Sequence, residues 1–242
     1  MNLILLLPED FVSESVVLLK DYRAQHIQTV LKAEAGKILQ VGILNGALGT
    51  GSILSIKPNE VSLECTFQKE VLPRPKLDLI LAMPRPKVLK RLWAQIAALG
   101  VNRLVLINAT KVERFYFDSH VIKPAFYTPL LIEGLQQARC THLPEVSIEQ
   151  QFKPFVEDQI STFFSNQPKF LADPAGKKKI NQLSLEETRP VLAIGPEGGW
   201  TLYERTLLQE HGFKLVGLGN RILRTDTACI ALLSLFNSHL SC

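Results

Sequence analysis

Residues fit for chemistry concentrate in two short segments near the C-terminal end of the chain. The first is Ile194–Gly195–Pro196–Glu197–Gly198–Gly199–Trp200, and the second is Leu218–Gly219–Asn220–Arg221–Ile222–Leu223–Arg224–Thr225–Asp226–Thr227–Ala228. Each follows an apolar run that reads as a buried strand, and each leads into a helix. Two such loops, close in sequence, predict one ligand site built from backbone at the ends of adjacent strands. In the first loop, Gly195, Gly198 and Gly199 allow a close approach that a Cβ would resist. Thr201 and Glu204 have the spacing of a capping box. A loop pinned at a helix N-terminus favours anions, so a phosphate-type loop is one reading and a tight turn without ligand is the other. Glu197 is the only acid there, suited to accept a hydrogen bond or act as a general base. In the second loop, Leu218, Gly219, Ile222 and Leu223 suit a flat apolar ring whose polar edges are read by backbone groups. Arg221 and Arg224 are fit to hold a phosphate or to stabilise negative charge that develops in a reaction. Thr225 or Asp226 reads as the cap of the last helix.

The elements that must position these loops follow from periodicity. Residues 1–72 read as β-rich, with short apolar or alternating runs at Leu3–Leu7, Lys37–Leu44, Gly51–Ile56 and Val61–Phe67. Turn signals such as Asn45–Gly46 and Pro58–Asn59 separate them, a pattern that suggests a small barrel. Asp21–Ala33 has helical spacing. Val71–Leu72–Pro73–Arg74–Pro75 marks a boundary, because two prolines remove donors and favour extended chain. From residue 73 to residue 242, strands at Leu77–Ala82, Arg103–Asn108, Phe170–Ala172, Pro190–Ile194 and Lys214–Gly217 alternate with helices. The helices are expected at Lys87–Leu99, Ala125–Arg139, Pro154–Phe164, Leu202–Glu210 and Thr227–Phe236. That alternation predicts an α/β fold, a mostly parallel sheet covered on both faces.

Composition narrows the class of protein. The chain has 242 residues and is 46% hydrophobic, enough for a packed core, yet it has no apolar run long enough to span a bilayer. The apolar Leu3–Leu7 lacks a basic flank and a cleavage site, which argues against a secretory signal. Cys65, Cys140, Cys229 and Cys242 are scattered, as structural thiols of a reducing compartment would be, so the expected location is cytoplasmic. The five histidines lack metal-ligand spacing. The net charge of +4 is unevenly spread. Residues 1–72 carry six Lys/Arg and eight Asp/Glu, whereas residues 73–242 carry 21 and 15. Six basic residues between Arg74 and Arg91, and the run Lys177–Lys178–Lys179, fit a polyanion partner or a solvated face.

Taken together, GPEGGW and LGNRILRTDTA resemble the RsmE family of small-subunit (16S) ribosomal RNA methyltransferases, within the SPOUT superfamily. The likeness extends over nearly the whole chain. It includes His26–Lys32 with Gly36 and Asn45–Gly46, Leu99–Gly100–Val101, and Gln137–Ala138–Arg139 with Leu143–Pro144. The chain departs from the family at several points. It has Ala98 and Asp226 where Glu is frequent, Gln95 where Lys is frequent, Asn2 where Arg is frequent, and Cys140 where an acid is common.

The resemblance implies a PUA-like β-barrel over residues 1–72 and, over residues 73–242, a SPOUT methyltransferase domain with a deep trefoil knot. It implies transfer of a methyl group from S-adenosylmethionine to N3 of a uridine in 16S ribosomal RNA, within the small ribosomal subunit, by a homodimer. Cofactor binding then falls to Leu171, Gly195, Glu197, Gly198, Leu218, Gly219, Ile222 and Leu223. Glu197 and Arg224 are the candidate catalytic residues. Arg221, Arg85, Lys87 and Arg139 are the candidate RNA contacts, with the roles of Arg221 and Arg224 interchangeable at this stage. Competing readings are a related enzyme acting on transfer RNA or a ribose hydroxyl, a non-catalytic RNA-binding assembly factor, and a nucleotide-binding regulator.

Overall fold

The computed structural model describes residues 2–178, 180–183, 185 and 189–240. Lys179 and Cys242, named above, lie outside them. The chain forms two compact units, Met1–Arg74 with Ile132–Leu143, and Pro75–Leu131 with Pro144–Cys242.

In the first unit, five strands form one sheet: β1 (Ile4–Leu6), β2 (Val16–Leu19), β3 (Ile38–Ile43), β4 (Leu48–Lys57) and β5 (Glu60–Phe67). Their order is β1-β3-β4-β5-β2. The β1–β3 pair is parallel and the other pairs are antiparallel. Alternating residues such as Val17, Leu19, Leu39, Val41, Val61 and Leu63 face a common core, and helix α1 (Tyr22–Thr29) adds Ala24 and Ile27 to it. Strand β2 has no counterpart among the expected strands. Its neighbour Phe11, beyond β1, forms a bridge to Val17.

A buried ion pair anchors α1 to this core. Arg23 is only 4% exposed, and it donates to Asp10 through both terminal nitrogens at 2.6 and 2.7 Å. It also donates to the Leu5 carbonyl and to Asp21. Burial opposes its charge, but the hydrogen bonds and charges of Asp10 and Asp21 outweigh that cost and hold its pKa above the ordinary arginine value.

Residues 132–143 follow the proline-marked boundary in sequence, yet they belong to the first unit. The reason is hydrogen bonding to the β3–β4 turn. The Thr141 hydroxyl donates to the Gly46 carbonyl at 2.7 Å, and the Leu143 amide donates to the Asn45 side chain at 2.9 Å.

The second unit holds six parallel strands, namely β6 (Leu77–Ala82), β7 (Val101–Ile107), β8 (Glu145–Glu149), β9 (Lys169–Ala172), β10 (Val191–Ile194) and β11 (Phe213–Val216). Their order is β11-β9-β10-β6-β7-β8. Both β6 and β10 are buried along their whole length, as strands covered on two faces must be. The connecting helices are α2 (Pro86–Ala98), α3 (Pro124–Ala138), the short pieces α4 (Phe152–Pro154) and α5 (Ile160–Phe163) around a π-helical stretch, α6 (Leu202–Glu210) and α7 (Thr225–His239). Arg224 is the N-cap of α7, so Thr225 and Asp226 fall in its first turn rather than capping it. Burial pushes the Cys229 thiol up to about 12, which keeps it protonated in the core. Among the described residues, no helix is long and apolar enough to cross a membrane.

Register places the site. Ile194 of β10 and Val216 of β11 both pair with Ala172 of β9, so three strands end at one level. Just beyond, the segment after β9 crosses the exit of β11. The Asp173 amide donates to the Val216 carbonyl, and the Gly217 amide donates to the Lys178 carbonyl at 3.1 Å. A Cβ on Gly217 would lie 2.2 Å from the Gly176 carbonyl oxygen, and one on Gly176 would lie 2.4 Å from the Val216 carbonyl carbon. Two glycines are therefore what lets these backbones touch.

Breaking the buried pair tests the first unit. We expect Arg23→Ala to cost about 3–5 kcal/mol in urea denaturation, because Asp10 is left buried and uncompensated. The double variant with Asp10→Leu should recover part of that loss.

Candidate active site

The level ends of β9, β10 and β11 open into a cavity of about 310 Å³. The loop after β10 forms one wall and the loop after β11 the other. Gly195, Glu197, Gly198, Leu218, Gly219, Ile222 and Leu223 all line it. Leu171 does not, because its side chain is fully buried in β9, and its neighbour Ala172 reaches the cavity instead. Arg221 also lines the cavity, whereas the Arg224 side chain is 78% exposed and lies 3.9 Å from Asp226. Arg91 of α2 binds the same carboxylate at 2.8 Å. Burial disfavours the Asp226 charge, but Arg91, the Thr227 amide and Arg224 hold its pKa below the ordinary aspartate value.

The first loop is held from three sides. A Cβ on Gly195 would lie 3.0–3.2 Å from the Trp200 indole, so that glycine lets the ring close the loop. The Lys111 ammonium donates to the Gly198 carbonyl at 2.7 Å, and its methylenes cover Gly198 so closely that a Cβ there would collide at 2.7 Å. The Arg85 amide, at the N-cap of α2, donates to Glu197 Oε1 at 3.1 Å. Glu197 Oε2 has no hydrogen-bond partner among the described residues.

Both hydrogen bonds of the capping box form. The Glu204 amide donates to the Thr201 hydroxyl oxygen, and Glu204 accepts from the Thr201 amide at 2.7 Å. Glu204 also accepts from the Thr110 amide at 2.6 Å. Its side chain is 1% exposed. Burial works against its charge, but these donors prevail and hold its pKa below the ordinary glutamate value of 4.5. The N-terminus of α6 thus carries its own buried carboxylate, and the site there is not the anion-binding loop that a glycine-rich turn suggests.

Of the candidate RNA contacts, Arg85 and Lys87 are exposed at the start of α2. Arg139 is exposed in the other compact unit, where its φ of 55° lets the chain leave α3. Sequence reasoning overlooked Asp173, Trp200 and Val216, which line the cavity, and Lys111, which holds it. Proximity to the loops could have flagged Trp200. Nothing local to Lys111 marks it.

Neutralising Glu204 tests the support of the first loop. Its folded pKa is depressed, so its contribution is complete above pH 4.5 and is lost as pH falls through the folded value. We expect Glu204→Gln to lose about 1–3 kcal/mol at pH 7, measured by chemical denaturation. Its stability should fall less than that of the unmodified chain as pH drops below 4.5.

A family model described as an RNA methyltransferase domain matches residues 71–237. The ribosomal RNA small subunit methyltransferase E of Treponema pallidum is 32% identical over 253 residues, covering 99% of this chain and 92% of that protein. The ribosomal RNA small subunit methyltransferase E 1 of Borreliella burgdorferi is 28% identical, covering 96% and 95%. Among solved structures, a ribosomal RNA small subunit methyltransferase E from Neisseria gonorrhoeae, bound to S-adenosyl methionine, shares this fold. Its TM-score is 0.79 at 21% identity, over 99% of this chain and 98% of that one. A putative methyltransferase from Legionella pneumophila, in complex with the same cofactor, gives 0.76 at 24% identity, over 98% and 97%. With a family model over most of its length and a relative this similar end to end, the chain belongs to the ribosomal RNA small subunit methyltransferase E family.

Proposed function

We propose that this chain methylates N3 of a uridine in 16S ribosomal RNA, using S-adenosylmethionine. The observation that carries the reading is the cavity where both glycine-containing loops meet, with Glu197 at its wall and one carboxylate oxygen unengaged. Named relatives that act on small-subunit ribosomal RNA, and related folds bound to the cofactor, support it. The cavity fits the cofactor. Leu218, Ile222 and Leu223 offer apolar surface to a flat ring, and Gly195 and Gly219 leave backbone within reach of its edges.

Bound there, S-adenosylmethionine supplies an already activated methyl group. The protein's task is then to orient and to deprotonate. The acceptor nitrogen bears a proton at neutral pH and lies on the pairing edge, so the uracil must leave its pair to enter. Glu197 Oε1 is held by the start of α2, and Oε2 receives the N3 proton as the N3–CH₃ bond forms and the S–CH₃ bond breaks. Arg221 lines the cavity and stabilises charge on the uracil oxygens. Arg224, directed outward, is assigned to a phosphate, as is Lys87, with Arg85 beside it. Arg139 contacts RNA from the other unit.

The finer architecture belongs to the same proposal. The crossing of Gly176 and Gly217 supports a deep trefoil knot of the SPOUT type in residues 73–242. The five-stranded sheet folded around one apolar core supports a PUA-like barrel in residues 1–72. Half-exposed Ile230 and Leu235 on α7 support a homodimer. The reaction is assigned to the cytoplasm, on RNA within the small subunit.

The test is direct. Purified protein is incubated with S-adenosylmethionine and with unmodified small ribosomal subunits or the ribosomal RNA extracted from them, and the nucleosides are identified by mass spectrometry. We expect 3-methyluridine, and its absence would refute the proposal. Glu197→Gln keeps the helix contact but loses the charge. We expect its turnover to fall roughly 10²–10⁴-fold with cofactor affinity unchanged. Full turnover in Glu197→Ala would remove any chemical role for that residue.

A further inference from the structure

A second cavity, of about 320 Å³, opens beside the first loop, beyond the ends of β7 and β8. Its wall includes Thr110, Arg114, Phe152, Lys153, Tyr203 and Glu204. We propose that it is a nucleotide subsite for the RNA strand that carries the acceptor base, taking a neighbouring residue by stacking and by phosphate contact. This rests on the methyltransferase reading above.

Position is the first argument. Thr110 lines this cavity, and the next residue, Lys111, donates to the Gly198 carbonyl at 2.7 Å. Glu204 lines it too, and Glu204 completes the capping box with Thr201 at the start of the helix that the first loop enters. The second cavity is thus one residue away from the loop that carries Glu197. A strand delivering a base to Glu197 runs past this loop, on which the second cavity borders.

Chemistry is the second argument. Tyr203 is 55% exposed and Phe152 is half-buried, so both rings have surface left for a base. Stacking of this kind accepts any base, because every base has a π face. Arg114 is exposed, with no ion pair among the described residues, and its planar fork matches phosphate geometry. Lys153 is weakly engaged at the surface by Glu157 at 3.7 Å. Glu204 is the only acid among the lining residues, and both its oxygens are already bound by Thr110 and Thr201. The cavity therefore offers two rings and two cations with no free carboxylate in its lining. A bare anion would use the cations and leave the rings wet. A nucleotide uses both.

The experiment measures steady-state methylation of small-subunit ribosomal RNA by the full chain and by Tyr203→Ala, Tyr203→Phe and Arg114→Gln. Cofactor affinity is followed by calorimetry and folding by melting temperature. We expect KM for RNA to rise about tenfold in Tyr203→Ala and to stay within about twofold in Tyr203→Phe, because the ring rather than the hydroxyl stacks. We expect Arg114→Gln to raise KM and to reduce the salt slope of RNA binding by about one. Turnover at saturation and cofactor affinity should not change. An unmodified chain that methylates while all three variants keep its KM and salt slope overturns the subsite and leaves the enzyme reading standing. Equal losses in Tyr203→Ala and Tyr203→Phe also overturn it. An unmodified chain that transfers no methyl group defeats the enzyme reading first, and the subsite falls with it.

Discussion

Everything at the site depends on the register of three short strands. Ala172, Ile194 and Val216 end at one level because β9 pairs with both β10 and β11 without a bulge. A shift of one residue would move every side chain of the strand to the opposite face, so the register decides which residues end at the cavity. Just past that level ending, the chain leaving β9 and the chain leaving β11 meet at Gly176 and Gly217. Only positions without a Cβ allow the contact, and the second loop then turns toward the first.

Much of this was legible in the sequence, for identifiable reasons. Five of the six strands of the larger sheet follow from apolar runs that alternate with helical spacing, and the strands at Leu77–Ala82 and Val191–Ile194 are apolar almost throughout because both faces are covered. Two strands were not legible. Val16–Leu19 is a four-residue edge strand following a serine-rich bend, too short for alternation to register. Glu145–Glu149 is the opposite edge of the larger sheet, and its glutamates read as loop because an edge strand tolerates charge. The membership of residues 132–143 in the first unit was also hidden. It rests on hydrogen bonds such as Thr141 to Gly46, and such long-range pairs leave no periodic trace.

The candidate site was legible where it is made of local sequence and obscure where it is made of contacts. Both loops stand out by composition, and seven of the eight cofactor residues expected from them line the cavity. Leu171 is the exception, since strand alternation turns it into the core and leaves its neighbour Ala172 at the cavity. Lys111 lies 87 residues from Gly198 in sequence, and its role exists only once the sheet is formed. The arginine pair shows the same limit. Only two residues separate Arg221 from Arg224, yet one lines the cavity and the other faces Asp226 and solvent.

Two glutamates show why position decides chemistry here. Glu197 and Glu204 belong to one loop-and-helix segment, and each carboxylate binds backbone at a helix start. Glu204 is buried, and both its oxygens are occupied by Thr110 and Thr201. It has no lone pair directed at a ligand, so its effect is structural. It fixes the start of α6 and ties that start to the end of β7. Glu197 is exposed, and among the described residues a single oxygen is bound, to the amide at the start of α2. That bond favours one placement of the side chain and so lowers the entropy cost of ordering it. The other oxygen remains available at the edge of the cavity. A carboxylate bound through one oxygen, on a loop held by Lys111 and Trp200, is the geometry on which the proposed proton-acceptor role rests.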